Sequence, residues 1–535
     1  MESAVIRVWE LPELVKMVLS YSSKHSIARI MRINRTLYAL APVVLYHTIC
    51  DYEARRMLTG SAGISGLVKY ANYVRSISLP REFCDRYIID AIDSENVFPP
   101  LLNLTTFSCD FTRRHGSTNA QSNTNISNRE YLVSIARTLR SSTRLASLIL
   151  GQVLIYHQDD IDPLCRTISG LKVLQTVECT MLILDAGLDD EVVSKVFFSL
   201  PQSVKTASVV ATSRFSRNEM DARATLGDRR ASELPRRQDP LRNLTSWRAQ
   251  FPNGLGADTV IDMAERCPQL VTLEVPVLRR GQDEEDVAQR IVDCCPKLVH
   301  LTLHFDSNID TCTSMMTEII QAMPEDTLQS MFVEGYHDHD TALADSIKRH
   351  YGSLSKIEFE ETGYFDGYIL QTILNGCRVL EVLSIDGRRS ECLEVPLKDV
   401  LLYKWASKAL RTLQFSVQFP NMRELNAMKV PDGSTSKYGV ITEEQKKGNT
   451  PLGKLYRKIR FLENLENLQL HLSLDDWDEK LTFTSMGPGF LSGGEVKTDR
   501  PFTFVRYETL KELKAHPTYG WASDSDSYPS SPQEQ

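Results

Sequence analysis

The densest group of potential metal ligands in this sequence is His337-Asp338-His339-Asp340. Imidazole and carboxylate groups ligate divalent cations, but a site needs three or four converging donors. No partner cluster accompanies these four residues, and they directly follow a strand-like segment, so they read as a solvated loop on a rim. Eleven cysteines are scattered without a Cys-x-x-Cys pair. That usage implies reduced, buried thiols in a cytoplasmic or nuclear protein. Cys294 and Cys295 are adjacent and read as buried at a helix end rather than paired. Gly487-Pro488-Gly489 and Gly493-Gly494 lack the Lys-Ser/Thr that a phosphate-cradling loop requires. No Gly-x-Ser-x-Gly occurs, and no cysteine has a recognisable catalytic context. The sequence therefore implies no enzyme, no cofactor and no metal.

The elements that would carry a function are better marked than any chemistry. The chain has 535 residues, 42% apolar and 24% charged, with a net charge of −8. That is ordinary for a protein with a large core and excludes collagen-like, coiled-coil-only and globally disordered classes. The acidic balance gives no global attraction to nucleic acid or anionic membrane. The longest apolar run, Tyr38 to Tyr46, contains Pro42 and is too short to span a bilayer. Glu2, Arg7 and Glu10 interrupt the place where the apolar stretch of an export signal would lie.

One pattern recurs: apolar, two variable residues, apolar, one variable residue, apolar. It begins at Leu270, Leu298, Leu328, Leu354, Leu380 and Leu410, with spacings of 28, 30, 26, 26 and 30 residues. Between matches, apolar residues fall at helical spacing: Val260, Met263, Ala264 and Cys267; Val287 and Ile291; Met316, Ile319, Ile320 and Met323; Leu343 and Ile347; Ile369 and Ile373. Each unit is thus a short strand, a turn and a helix. One unit cannot bury its own apolar strand face, so the units must stack. The fold class is α/β, with a curved solenoid of parallel strands on the concave face and helices on the convex face. The pattern resembles leucine-rich repeats of the longer kind. The Asn or Cys that usually follows the strand motif is missing from most units, which removes the expected asparagine ladder.

Weaker matches begin at Val74, Leu104, Leu145, Leu171 and Leu244, and C-terminally at Leu465 and Leu510. The polar, Asn/Ser-rich stretch near 112–129 reads as an insertion, as does 211–240, which carries seven Arg against five acids. The domain reading is a helical module over 1–50, a repeat solenoid over 51–427, a flexible insertion over 428–451, C-terminal repeats over 452–518 and a disordered acidic tail over 519–535.

The first fifty residues differ from the rest. Leu11-Pro12-Glu13-Leu14 opens a helix with Leu14, Val15, Val18 and Leu19 on one stripe. Ser26 is placed to cap a second helix carrying Ile27, Ile30 and Met31, and a third segment runs from Thr36 to Tyr46. Leu11-Pro12-Glu13-Leu14, the central Ile27 to Arg35 and the closing Leu37 to Tyr46 together resemble an F-box of the fungal type. That module binds the Skp adaptor of a cullin–RING ubiquitin ligase. The resemblance implies a substrate receptor of an SCF-type ligase, with Leu11, Pro12, Leu14, Val15, Ile27 and Met31 contacting the adaptor. Residues 1–50 carry six Lys/Arg and three Asp/Glu, a charge suited to an acidic adaptor. The same residues also suit a plain helical cap on the end of the solenoid.

Strand alternation assigns three columns to the concave face. The first is Thr272, His300, Ser330, Lys356, Val382 and Thr412. The second is Glu274, Thr302, Phe332, Glu358, Ser384 and Gln414. The third is Pro276, His304, Glu334, Glu360, Asp386 and Ser416. His304, Phe332, Glu334, Glu358, Glu360 and Asp386 are the candidate target contacts. The carboxylates among them would form a stripe suited to a Lys/Arg-rich segment of a target. A solvated face with no ligand is the competing account. Neither a membrane nor direct nucleic-acid binding is expected. A leucine-rich-repeat scaffold without a ligase role is the main alternative. A hydrolase, or a GTPase activator with an arginine from 211–240, is the enzymatic one.

Overall fold

A computed structural model describes residues 12–30, 35–58, 61–80, 100–110, 128–155, 157–183, 189–213, 239–250, 255–275, 278–279, 286–304, 312–334, 341–360, 367–386, 395–401, 404–419, 438–440, 454–455, 458–459, 462, 464–474, 477–485 and 503–507. The chain divides into two compact units, 1–298 and 299–535, a boundary that the repeat spacing does not mark. The described residues contain no helix long and apolar enough to cross a membrane.

The first unit begins with helices α1 (Pro12–Ser20), α2 (Lys24–Ile30) and α3 (Arg35–Leu45). Val15, Leu19, Ile27, Leu37 and Ala41 form their shared core, with Leu40, Val44 and Leu45 packed against it. The cap of α2 is Ser23 rather than Ser26. The Ser23 hydroxyl oxygen accepts the Ser26 backbone N–H at 3.1 Å, three residues into the helix, where an orphan donor needs it. Strand β1 (Thr48–Ile49), α4 (Asp51–Leu58) and α5 (Ser61–Tyr70) follow.

Parallel strands then recur: β2 (Ser76–Pro80), β3 (Thr106–Asp110), β4 (Ser147–Ile155), β5 (Thr176–Ile183), β6 (Thr206–Ser213), β7 (Ser246–Gln250) and β9 (Thr272–Val275). β1 adds only two residues beside β2. The register aligns Ile77, Phe107, Leu148, Val177, Ala207, Trp247 and Leu273 in one row. Each is buried, and each of them larger than Ala207 contributes about 1.5–3 kcal/mol on burial. The connecting helices are α6 (Asn128–Arg140), α7 (Asp162–Gly170), α8 (Asp189–Ser199), α9 (Ala257–Ala264) and α10 (Val287–Cys294), with the minor pair β8 (Leu255–Gly256) and β10 (Leu278–Arg279). Two expectations shift here. The motif placed at Leu171 is three residues later, with Leu174, Val177 and Cys179 buried in its positions. Strand β6 was not anticipated, and it occupies the start of the stretch assigned to the 211–240 insertion.

The second unit repeats the plan. Strands β11 (His300–His304), β12 (Ser330–Glu334), β13 (Lys356–Glu360), β14 (Val382–Asp386), β16 (Thr412–Phe419) and β18 (Asn467–Leu474) are parallel. Between them lie α11 (Cys312–Ala322), α12 (Thr341–Lys348), α13 (Gly367–Gly376), the short β15 (Val395–Pro396) and α14 (Leu397–Leu401). Leu301, Met331, Ile357, Leu383, Leu413 and Leu468 share a row. The unit ends on antiparallel pairing, which the repeat pattern does not foretell. β19 (Trp477–Ser485) folds back on β18, β20 (Thr503–Tyr507) pairs with β19, and β17 (Tyr438–Val440) pairs with β20.

The expected loss of an asparagine ladder has a structural counterpart ahead of the strands. In the turn before β3, the Asn103 amide donates to the Asn72 carbonyl of the preceding turn at 2.9 Å. Asn243 does the same to Gln202 at 2.8 Å, and Asn464 to Lys408 at 3.0 Å. Serine serves elsewhere: Ser142 to Leu101 at 3.2 Å, Ser203 to Leu174 at 2.7 Å, Ser353 to Leu328 at 2.7 Å and Ser407 to Leu380 at 2.6 Å. The Cys295 thiol points at the Ala264 and Cys267 carbonyls, 3.8 and 3.7 Å away. These bonds tie each turn to the one before it, the Asn bonds at the exposed surface and those of Ser142 and Ser407 in buried positions.

The Asn/Ser-rich stretch 112–129 apart from its last two residues, most of 211–240, most of 428–451, the tail 519–535, the motif at Leu510, and His337 to Asp340 lie outside the described residues.

Candidate interaction surfaces

The first surface is built on the N-terminal helices. Val15 and Ile27 are core residues here, 0% and 1% exposed, so their packing holds α1 and α2 together rather than presenting them to a partner. Pro12 is exposed and Leu14 half-buried. Leu11 and Met31 lie outside the described residues. The sequence reading missed the apolar residues that do reach solvent: Met17 at 56%, Val18 at 45%, Tyr21 at 88% and Tyr38 at 51%. For Met17 the signal was present, since it falls off the stripe defined by Val15 and Leu19, whereas Val18 lies on that stripe and Tyr21 follows the end of α1, so spacing did not mark either as exposed.

Two polar clusters fix this region to the first repeat. Lys24 pairs with Glu53 of α4 at 2.6 Å and also donates to the Thr48 carbonyl. Glu53 in turn accepts the Cys50 backbone N–H at 3.1 Å. Tyr46, at the end of α3, stacks on Tyr70 with ring centres 4.7 Å apart, and Tyr73 tilts against Tyr70 at 6.3 Å. Lys69 lies over the Tyr70 ring. Its ammonium is held charged, above the ordinary lysine range, first by a hydrogen bond to Tyr70 and also by one to Tyr38. Burial raises the Tyr46 phenol, with the Tyr70 charge adding to it and Lys69 opposing.

The second surface is the sheet face left open by the alternation of each strand. In the second unit the three expected columns are in register. His304, Glu334, Glu360 and Asp386 lie side by side, as do Thr302, Phe332, Glu358 and Ser384. Phe332, Glu334, Glu358 and Glu360 are half-buried on that face. Glu358 is already neutralised by Lys356 of the same strand at 2.7 Å. Glu334, Glu360 and Asp386 thus share a register position at the strand ends, and Glu358, in the neighbouring column, is engaged in its own ion pair. His300 and the Ser330 hydroxyl are 2.8 Å apart across the first row, and burial lowers the imidazole pKa. Ser384 donates to the Gln414 side chain at 3.3 Å.

The first unit presents a different open face. Ser76, Thr106, Ser147, Thr176, Thr206, Ser246 and Thr272 occupy seven consecutive strands in one row. Extending the first column N-terminally along the sequence finds this row, but the weak motifs before Leu270 concealed it. Arg248 and Glu274, neighbours in the next row, pair at 2.7 Å. Between β4 and β5 the register slips at Leu150/Val153, where Gln152 takes a φ of 48°, a bulge that re-aims the end of β4.

Among the described residues no group of three or more His, Cys, Asp or Glu could hold a metal ion. The buried thiols are poor nucleophiles. Burial pushes Cys165 up to about 11 and Cys179, Cys295 and Cys377 up to about 12.

No family model and no curated protein matches this chain. Among solved structures it is similar to one titled as the Rad7 and Elc1 complex in yeast, at 14% identity and a TM-score of 0.37, over 78% of this chain and 90% of that one. It is also similar to the leucine-rich repeat-containing protein LegL7 from Legionella pneumophila, at 12% identity and a TM-score of 0.29, over 73% and 88% of the two chains. At these scores neither likeness carries an argument, and the repeat architecture rests on strand register and burial in the chain itself.

Proposed function

We propose that this chain is the substrate-receptor subunit of an SCF-type ubiquitin ligase. Its N-terminal helices dock on a Skp-type adaptor and its repeats hold a target protein. The observation that supports this best is where apolar surface remains. Of the eleven large hydrophobic side chains exposed among the described residues, seven lie between Met17 and Tyr73: Met17, Val18, Tyr21, Tyr38, Tyr52, Val68 and Tyr73. A plain end cap has no need of so much exposed apolar surface, whereas a docking surface does. The F-box-like sequence of α1 to α3 supplies the adaptor as partner, and exposed Lys16 and Arg29 suit an acidic one. The receptor makes no bond; it holds a target near the ubiquitin-loaded enzyme and so raises the effective concentration of target lysines. The open face of the second unit is the target surface in this reading. The row Glu334, Glu360 and Asp386 is the part of it suited to a basic segment.

The test is capture of purified Skp adaptor by the full-length chain and by a variant carrying Met17→Asp, Val18→Asp and Tyr21→Asp. These three side chains are outside the helical core, so folding is retained. Binding by the parent and its loss in the variant support the reading. Failure of the parent to bind removes the ligase role and leaves a repeat scaffold.

A further inference from the structure

The turns that precede β4, β5, β6 and β7 lie side by side on one edge of the first unit, because those strands are parallel and in register. These turns carry Arg140, Arg144, Lys172, Lys205 and Arg242, all exposed, against a single acid, Asp239. None of the five cations has an ion-pair partner among the described residues. The edge continues past β3 and β2, where it exposes Leu102 (49%) and Tyr73 (39%), while Val173 (44%) sits between the cations. Cross-turn bonds hold the row: Asn103 to Asn72, Ser142 to Leu101, Ser203 to Leu174 and Asn243 to Gln202.

We infer that this edge binds an extended acidic peptide segment in which apolar residues are interspersed with Asp and Glu. Two features select that occupant. The chain is acidic overall at −8, so a local run of cations without ion-pair partners among the described residues makes this edge a site of attraction for acidic groups. The apolar side chains among the cations match an acidic-apolar peptide. A nucleic-acid strand would instead call for a continuous phosphate track with stacking aromatics, and Tyr73 is the lone aromatic exposed in these six turns. Six turns leave five gaps of ~4.8 Å, a length that about seven extended residues cover at ~3.3 Å each. The cations of this edge belong to the turns ahead of β4 to β7, and none of them is among the residues assigned to the adaptor or the target above. The competing role for these cations is to offset the carbonyl ends of the helices that precede them.

The test uses the full-length chain and fluorescence anisotropy. The probes are a labelled decapeptide alternating Glu with Leu and Phe, its Lys-for-Glu counterpart, a Glu-only decapeptide and a single-stranded RNA decamer. The Glu/Leu/Phe peptide is expected to bind saturably, to weaken as salt rises, and to bind better than the other three. Arg144→Glu with Lys172→Glu and Lys205→Glu is expected to weaken it by more than about tenfold, given the modest strength of each exposed pair. Leu102→Ser with Val173→Ser is expected to weaken it several-fold without changing the salt dependence. Equal binding by the Glu-only peptide or by RNA overturns the stated occupant. Absence of saturable binding, with a lowered thermal midpoint in the charge-reversed variant, assigns the cations to the helix ends and overturns the proposal entirely.

Discussion

His350 should make the second unit acid-sensitive. The side chain is fully buried in the turn after α12. Its Nε2 is 3.1 Å from the Ile320 carbonyl, and its Nδ1 lies 3.5 Å from the Leu328 backbone N–H. That geometry needs the neutral tautomer, with Nε2 donating and Nδ1 accepting. A second proton on Nδ1 would meet the Leu328 N–H head-on. Burial lowers the pKa below the ordinary 6.5; the bond to Ile320 opposes this, Arg349 adds to the lowering, and Asp326 and Glu325 oppose it. The unfolded chain takes up the proton first as pH falls. The contribution is therefore complete above 6.5 and is lost as pH falls from there toward the depressed folded value. The slope for one such group is at most about 1.4 kcal/mol per pH unit. His300 is also lowered by burial, so the comparison must isolate His350. Chemical denaturation of the parent and of His350→Gln, at pH 7.5 and 5.5, does so. The amide of Gln can still serve one backbone group, but it does not titrate. The parent should lose more stability between the two pH values than the variant. Equal losses would refute the neutral, doubly bonded imidazole. His350→Ala leaves both backbone groups unpaired and opens a cavity, at a cost of about 2–5 kcal/mol at either pH.

Three further outcomes follow from the packing. Gly376→Ala should destabilise the second unit strongly, by more than about 2 kcal/mol, because its Cβ would fall 2.0 Å from the Tyr351 ring; an unchanged thermal midpoint would show that the ring does not lie there. Ser142→Ala should cost about 0.5–1.5 kcal/mol in equilibrium unfolding, since it removes a fully buried cross-turn hydrogen bond while the Leu101 carbonyl keeps its bond from the Leu104 N–H at 3.1 Å; a neutral effect would remove the turn ladder as a source of stability. In the native protein a thiol reagent should modify exposed Cys50 while Cys179, Cys295 and Cys377, held near 12 by burial, stay protected until unfolding. Rapid native-state labelling of Cys377 would contradict its place in the core.

The repeats were legible wherever a large apolar residue held the middle motif position. Leu301, Met331, Ile357, Leu383 and Leu413 all mark observed strands. Strand β6 escaped because Ala207 fills that position, and a small residue gives no periodic signal although it packs as completely. The Leu171 misplacement arose because Leu171 and Leu174 are both buried in the turn that leads into β5. The columns of the open face followed from alternation alone, yet the pairing of Lys356 with Glu358 depends on rotamers that spacing does not choose. At the N-terminus the apolar stripe located three helices correctly. It did not separate core from surface: Val15 and Ile27 serve the fold, while Met17, Val18 and Tyr21 face solvent.

The two-residue strand β1 and the three-residue strand β17 have a bearing on how the chain is handled in the laboratory. A parallel sheet offers unpaired N–H and C=O groups along an outer strand, and a long flat edge invites other chains to add on. β1 places just Thr48 and Ile49 beside β2, and β17 pairs with β20 over Tyr438–Val440 alone. Trimming the N-terminus past residue 50 to obtain the repeats by themselves would uncover Ser76 and Ile77, leaving the uncharged Ser76–Pro80 strand without β1 beside it. Insolubility of such a truncation is then the expected consequence of an opened edge, and would not show that the repeats cannot fold.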